Sequence, residues 1–251
     1  MNTTLDQPRR TTAPSVPPVP QALWREYPDL VIRSRDTAPP CPNNNSDTAR
    51  LVSRMVARRR VRQGEGLYRE GEHFQYLHAV QSGSFKSTLA LPDGGEQVSN
   101  FYMTGELLGL DGVAECRHAS SATALEDSEI STLSHANLNE LCAITGGVQG
   151  CVMRLISREI VRGNGHVLLL GSLNSTQRVA AFLLNQSQRL SARGYSAVEF
   201  HLKMTRGEIG SFLGMTLETV SRTFTELQQQ RLLTVERRHI TITSLDGLAR
   251  I

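Results

Sequence analysis

The chain has 251 residues, 39% of them hydrophobic and 20% charged, with a net charge of +3. No apolar run approaches the roughly 18 residues of a membrane span, so a helical membrane protein is excluded. Four cysteines, Cys41, Cys116, Cys142 and Cys151, stand without a CxxC pair, which fits reduced thiols better than a disulfide framework.

The chain begins MNTTLDQPRRTTAPSVPPVPQ, which lacks the apolar stretch of a signal peptide, and a cytoplasmic location is expected. Residues 1–48 read as a flexible segment, Pro- and Thr-rich at first and then polar in CPNNNSD. Residues 49–145 form the next unit. Short apolar runs such as YLHAVQSGSFKSTLAL and EISTL are punctuated by Gly64, Gly71, Gly83, Gly94–Gly95, Gly105 and Gly109. Short strands with frequent glycine turns predict a compact all-β roll or sandwich.

Over residues 146–171 the period becomes helical. Ile156, Ile160, Gly163, Val167 and Leu170 recur at steps of four, three, four and three, and Val152 extends the stripe by a turn. Two readings stand: a helix packed on its own roll, or a helix paired with its twin in a homodimer. The second apolar face, with Leu155, Val161, Leu168 and Leu169, favours the dimer. A helix in NSTQRVAAFLLNQSQRL then starts at an Asn174 or Ser175 cap, and AVEFHLKM alternates like a strand.

The last unit, residues 172–251, holds ten Lys/Arg against six Asp/Glu, so the basic excess lies here. Its segment MTRGEIGSFLGMTLETVSRTFTELQQQRLL has the pattern of a helix-turn-helix. Thr205 and Glu208 make a capping box, Ile209 and Leu213 face inward, Gly210 permits a close crossing, and Gly214 supplies the turn. Thr216 caps the second helix, whose buried side is Val220, Phe224 and Leu227. Glu218, Ser221, Arg222 and Thr225 then project outward near its N-terminus. That end of such a helix enters the major groove of double-stranded DNA. Arginine grips guanine O6 and N7, glutamate accepts from cytosine N4, and serine serves base or phosphate. LLTVERRHITITS reads as a β-hairpin wing with Arg237 and Arg238 near its tip for phosphates, which Thr205, Thr216 and Thr225 also approach. The competing reading is a helical hairpin with a solvated Glu218–Arg222 pair, spaced i to i+4.

In TRGEIGSFLGMTLETVSR, and in the order of roll, long helix and wing, the chain resembles the cyclic-AMP receptor/fumarate–nitrate regulator (FNR) superfamily of bacterial transcription factors. The resemblance covers about residues 50–250 and implies an α+β fold: an N-terminal β-roll of the cyclic-nucleotide-binding jelly-roll type, a long dimerisation helix and a C-terminal winged helix-turn-helix. The E-x-x-S-R pattern of Glu218, Ser221 and Arg222 matches the FNR branch. It implies a palindromic TTGAT-N4-ATCAA-like site, with Arg222 on the guanine, bound by a homodimer. The dimer interface is then Val152, Ile156, Ile160, Gly163, Val167 and Leu170. By position, the turn Asp93, Gly94, Gly95 and Glu96 matches the branch's RNA polymerase contact, although a plain hairpin turn reads equally well.

The family's nucleotide-phosphate cassette is only half present. Gly105 and Glu106 are kept, but Ala119–Ser120 stands where Arg–Ser is expected. The branch's oxygen-sensing iron–sulfur cluster needs four thiolates. Cys41 matches one N-terminal ligand, the two before it have no counterpart, and Ser131 stands where the roll ligand belongs. The expectation is therefore no cofactor, with Cys41 and Cys116 the candidates for redox chemistry. Gly163 also replaces the acidic residue that opposes dimers in the oxygen sensors, which implies a dimer stable in air. A ligand-, haem- or redox-responsive member of the same superfamily is the alternative. A cupin-like metal-binding or enzymatic roll needs clustered ligands, and the seven histidines are dispersed.

Overall fold

A computed structural model describes residues 55–144 and 146–251. The roll is built from β1 (Val56–Val61), β2 (Gly66–Tyr68), β3 (Tyr76–Ser82), β4 (Ser84–Ala90), β5 (Glu96–Met103), β6 (Leu107–Leu108), β7 (Ser121–Ala124) and β8 (Ser128–Ser134). These form two antiparallel four-stranded sheets in the orders β1-β8-β3-β6 and β2-β7-β4-β5. Strand alternation turns Val61, Val80, Phe85 and Ile130 inward, where they pack with Tyr68 and Leu108. Gly83 makes the corner between β3 and β4 at φ 89°, and a Cβ there would lie 2.1 Å from Ser128 Oγ. Only glycine fits that corner.

Helix α1 (His135–Ile144) follows, and Leu138 and Leu141 seal the roll against Phe74 and Leu77. This helix lies inside residues 49–145, the unit expected to be an all-β roll. Helix α2 (Gly146–Ser172) comes next, 27 residues and about 40 Å long. The C-terminal domain comprises α3 (Ser175–Ser191), β9 (Glu199–His201), α4 (Arg206–Leu213), α5 (Leu217–Gln229), β10 (Leu233–Glu236), β11 (His239–Ile242) and α6 (Leu245–Leu248). Asn174, not Ser175, caps α3, in a reciprocal capping box with Gln177.

One core runs from β5 into this domain, joining Val98 and Phe101 to Phe182, Ile209, Leu213 and Phe224. Polar contacts fasten the same seam. The Val98 N–H donates to Ser211 Oγ, and Gln97 Nε2 donates to the Ser211 carbonyl. Lys86 pairs with Glu208 at 2.8 Å, and Lys203 with Glu126 at 2.8 Å. At the centre, the buried Glu106 carboxylate accepts from Arg189 and Arg193, both at 2.7 Å. The same two arginines also donate to the Phe101 and Thr104 carbonyls. Among the described residues no helix is long and apolar enough to cross a membrane.

Candidate DNA-reading interface

Local chemistry fixes the angle between α4 and α5. Thr205 Oγ1 accepts from the Glu208 N–H at 3.2 Å, and Glu208 Oε2 accepts from the Thr205 N–H at 2.7 Å. A Cβ on Gly210 would lie 2.6 Å from the Met215 carbonyl, so the crossing requires glycine. Gly214 ends α4 at φ 63°, and Thr216 caps α5 by accepting from the Thr219 N–H.

These caps rotate α5 so that Val220, Thr223, Phe224 and Leu227 are buried. Glu218, Arg222 and Thr225 are exposed and Ser221 is half-buried, on the opposite face. Among the described residues no ion pair joins Glu218 to Arg222. Glu218 instead takes its own backbone N–H and the Thr216 hydroxyl, which hold its carboxyl below the usual range and keep it ionised. The threonine hydroxyls have internal tasks. Thr205 Oγ1 donates to Glu208 Oε2, Thr225 Oγ1 donates to the Ser221 carbonyl, and Thr216 Oγ1 contacts Thr219 Oγ1.

The wing is the β10–β11 hairpin, with β9 added on the far side of β11. Its two-residue tip is Arg237–Arg238, both exposed, with Arg237 in the left-handed region at φ 59°. Arg206 bridges helix and wing. Its guanidinium sits 3.6 Å over the Phe224 ring and donates to the Arg237 carbonyl at 3.5 Å. Sequence reasoning passed over Arg206, since only the fold brings positions 206, 224 and 237 together.

Arg178 was also passed over. Its guanidinium donates to the carbonyls of Leu170 at the end of α2, Leu173 in the joint and Leu213 at the end of α4. One side chain thus ties the long helix, the joint and the first helix of the reading unit together, satisfying carbonyls that helix ends leave open.

On α2 the expected stripe divides. Ile160 and Val167 are 59% and 70% exposed, and a Cβ on Gly163 would meet nothing within 4 Å. Ile156 and Leu170 are half-buried. Val152 packs against its own chain, with Leu138, Leu141 and Val148. Met153, 60% exposed, begins the open stripe in its place. The turn before β5 exposes Asp93, Gly94, Gly95 and Glu96. There Asp93 accepts from the Gly95 N–H, and Gly94 adopts φ 84°.

The half-kept phosphate cassette is engaged internally. Besides the arginine pairs on Glu106, the Asp111 carboxylate accepts from the Ala119 and Ser120 N–H groups at 3.0 Å and from the Ser120 hydroxyl at 2.8 Å. Cys116 is exposed, and Cys142 packs beside the α1 cluster. Cys41 lies outside the described residues.

The profile of the Crp-like helix-turn-helix domain matches residues 177–251, and that of the cyclic nucleotide-binding domain matches residues 58–145. The transcriptional regulatory protein btr of Bordetella pertussis is 39% identical over 206 residues, 82% of this chain and 85% of that one. The fumarate and nitrate reduction regulatory protein of Escherichia coli K12 is 35% identical over 208 residues, 83% of each chain. The structure of FixK2 from Bradyrhizobium japonicum superposes with a TM-score of 0.72 at 30% identity, covering 77% of this chain and 95% of that one. The chain therefore belongs to the Crp/FNR family of transcription regulators, with a cyclic nucleotide-binding-type roll followed by a DNA-binding helix-turn-helix domain.

Proposed function

We propose that the chain is an FNR-type regulator that acts as a homodimer on a palindromic TTGAT-N4-ATCAA-like site. Arg222 reads guanine, with Glu218 and Ser221 on neighbouring positions. The observation that carries this reading is the exposure of Arg222 and of an ionised Glu218 on the first turns of α5, with the opposite face locked in the core. Arg237 and Arg238 of the wing hold phosphates. At the start of α4 backbone N–H groups do the same, because the Thr205 hydroxyl proton is already engaged by Glu208. Helix α2 pairs with its twin along the exposed Met153, Ile160, Gly163 and Val167. The Asp93–Glu96 turn touches RNA polymerase. It leads directly into β5, which is fastened to α4 through Ser211.

The reading includes neither an oxygen-sensing cluster nor a bound cyclic nucleotide. Ser131 in β8 supplies no thiolate where the branch places one, and Cys142 is packed among apolar side chains. Asp111 already fills the N–H groups of Ala119 and Ser120, and Glu106 is held by Arg189 and Arg193. Fluorescence anisotropy with the palindrome and a scrambled duplex of equal length tests the function. A preference of about a thousandfold or more for the palindrome is expected. Equal affinities would refute sequence reading.

A further inference from the structure

The histidines are scattered along the sequence, but the wing sheet gathers two of them. His201 on β9 stands directly opposite His239 on β11 in the antiparallel pairing, and their rings lie 4.7 Å apart at 33°. Opposed residues of such a pair share one face of the sheet, with Cβ atoms about 4.5–5.5 Å apart. Glu199 is two residues before His201 and so on the same face, and its Oε1 lies 3.1 Å from His239 Nε2. On the third strand, β10, Glu236 is opposite His239. This face is open to solvent: Glu199, His201 and Glu236 are exposed and His239 is half-buried. The alternate residues Phe200, Ile240 and Ile242 are locked in the core, which fixes the register that brings the four polar groups together.

The donors are imidazole nitrogen and carboxylate oxygen. That combination suits a divalent transition ion such as Zn2+, whereas Mg2+ and Ca2+ need shells of oxygen. An ion about 2.0–2.2 Å from a nitrogen and an oxygen holds the two roughly 3.0–3.5 Å apart, so His239 and Glu199 already stand at the separation of two ligands. Among the described residues no three such donors already converge. Here the third, the His201 ring, is stacked beside His239 instead of completing the set. Because it is exposed, a change of rotamer costs it little more than that stacking contact. The sheet itself needs no movement.

We propose that His201, His239 and Glu199 bind one Zn2+ per chain, with Glu236 or water as the fourth ligand. The ion clasps β9 to the wing hairpin, to which it is otherwise joined by three residue pairs. Binding to the folded chain alone stabilises it in proportion to occupancy. The site lies outside the reading helix and does not depend on the function proposed above.

The test is calorimetric titration of Zn2+ into the full chain, stripped beforehand with EDTA and without DNA. Saturable binding of one ion per chain at micromolar Zn2+ is expected, undiminished by a large excess of Mg2+. His239→Asn should weaken it at least about tenfold, a loss that even outer-shell partners of a metal can produce. Glu199→Gln should weaken it less. Spectra of the nitrogen-labelled imidazoles locate the site in the unaltered chain, independently of any variant's folding. The ring nitrogens of His201 and His239 should shift on adding Zn2+ while those of the remaining histidines stay in place. Zn2+ should also raise the melting midpoint of the natural chain and not that of His239→Asn. No saturable binding, displacement by Mg2+, shifts confined to other histidines, or unchanged affinity in both His201→Asn and His239→Asn would overturn the proposal.

Discussion

Glu106 is the most informative residue to perturb outside the reading helix. Its carboxylate is 4% exposed and accepts from Arg189 and Arg193, so it joins the roll to the C-terminal domain through a buried ion cluster. Burial alone would raise its carboxyl, but Arg189, Arg162 and Arg193 outweigh that and hold it below the usual range. Glu106→Gln keeps the shape and removes the charge, leaving the buried Arg189 guanidinium without its counter-ion. Breaking a buried pair in this way costs about 3–5 kcal/mol. In a chain of this size each kcal/mol moves the midpoint by roughly 2–4 °C, so thermal unfolding by calorimetry should show a fall of roughly 6–20 °C. The double variant Glu106→Gln with Arg189→Met should recover part of this loss, because it removes the orphaned charge. The pH dependence has a definite sign. The folded-state pKa of Glu106 is depressed, so its contribution is complete above the unfolded value of about 4.3 and is lost as pH falls through the folded value. The gap between the natural chain and Glu106→Gln should therefore be full at pH 7 and shrink below about pH 4. A variant melting within about 2 °C of the natural chain at pH 7, or a gap independent of pH, would refute the ion cluster as the joint between domains.

Other consequences concern the reading unit and the dimer. Gly210→Ala forces a methyl against the Met215 carbonyl and should destabilise the chain by about 1–3 kcal/mol in denaturant unfolding. Val167→Glu places two charges in the proposed α2 pairing, and the dimer dissociation constant from sedimentation should rise at least about a hundredfold. Arg237→Ala should lower the slope of log affinity against log salt by about one per half-site while leaving sequence preference unchanged.

What the sequence disclosed was governed by short-range chemistry. Thr205 with Glu208, the tight crossing at Gly210 and the turn at Gly214 lie within ten residues of one another, and their geometry is as the residue types imply. Glycine punctuation and alternation exposed the roll in the same way, as with Gly83 between β3 and β4. The contacts that join the parts were illegible. Glu106 meets Arg189 across 83 positions and Lys86 meets Glu208 across 122, and no local pattern marks either partner. Helix α2 is an intermediate case. Its period was plain, but an apolar stripe does not say which face its own chain covers, so Val152, expected in the stripe, packs on its own chain and Met153 lies open.

The central claim is that Arg222 reads a guanine in each half-site. A cycle of four anisotropy titrations tests it, combining the natural chain or Arg222→Ala with the palindrome or a duplex whose two guanines are replaced. Each single change should weaken binding by about 1–3 kcal/mol per contact, and the double change should cost little more than either alone. Strictly additive losses would show that Arg222 and the guanine do not meet, and would contradict the account.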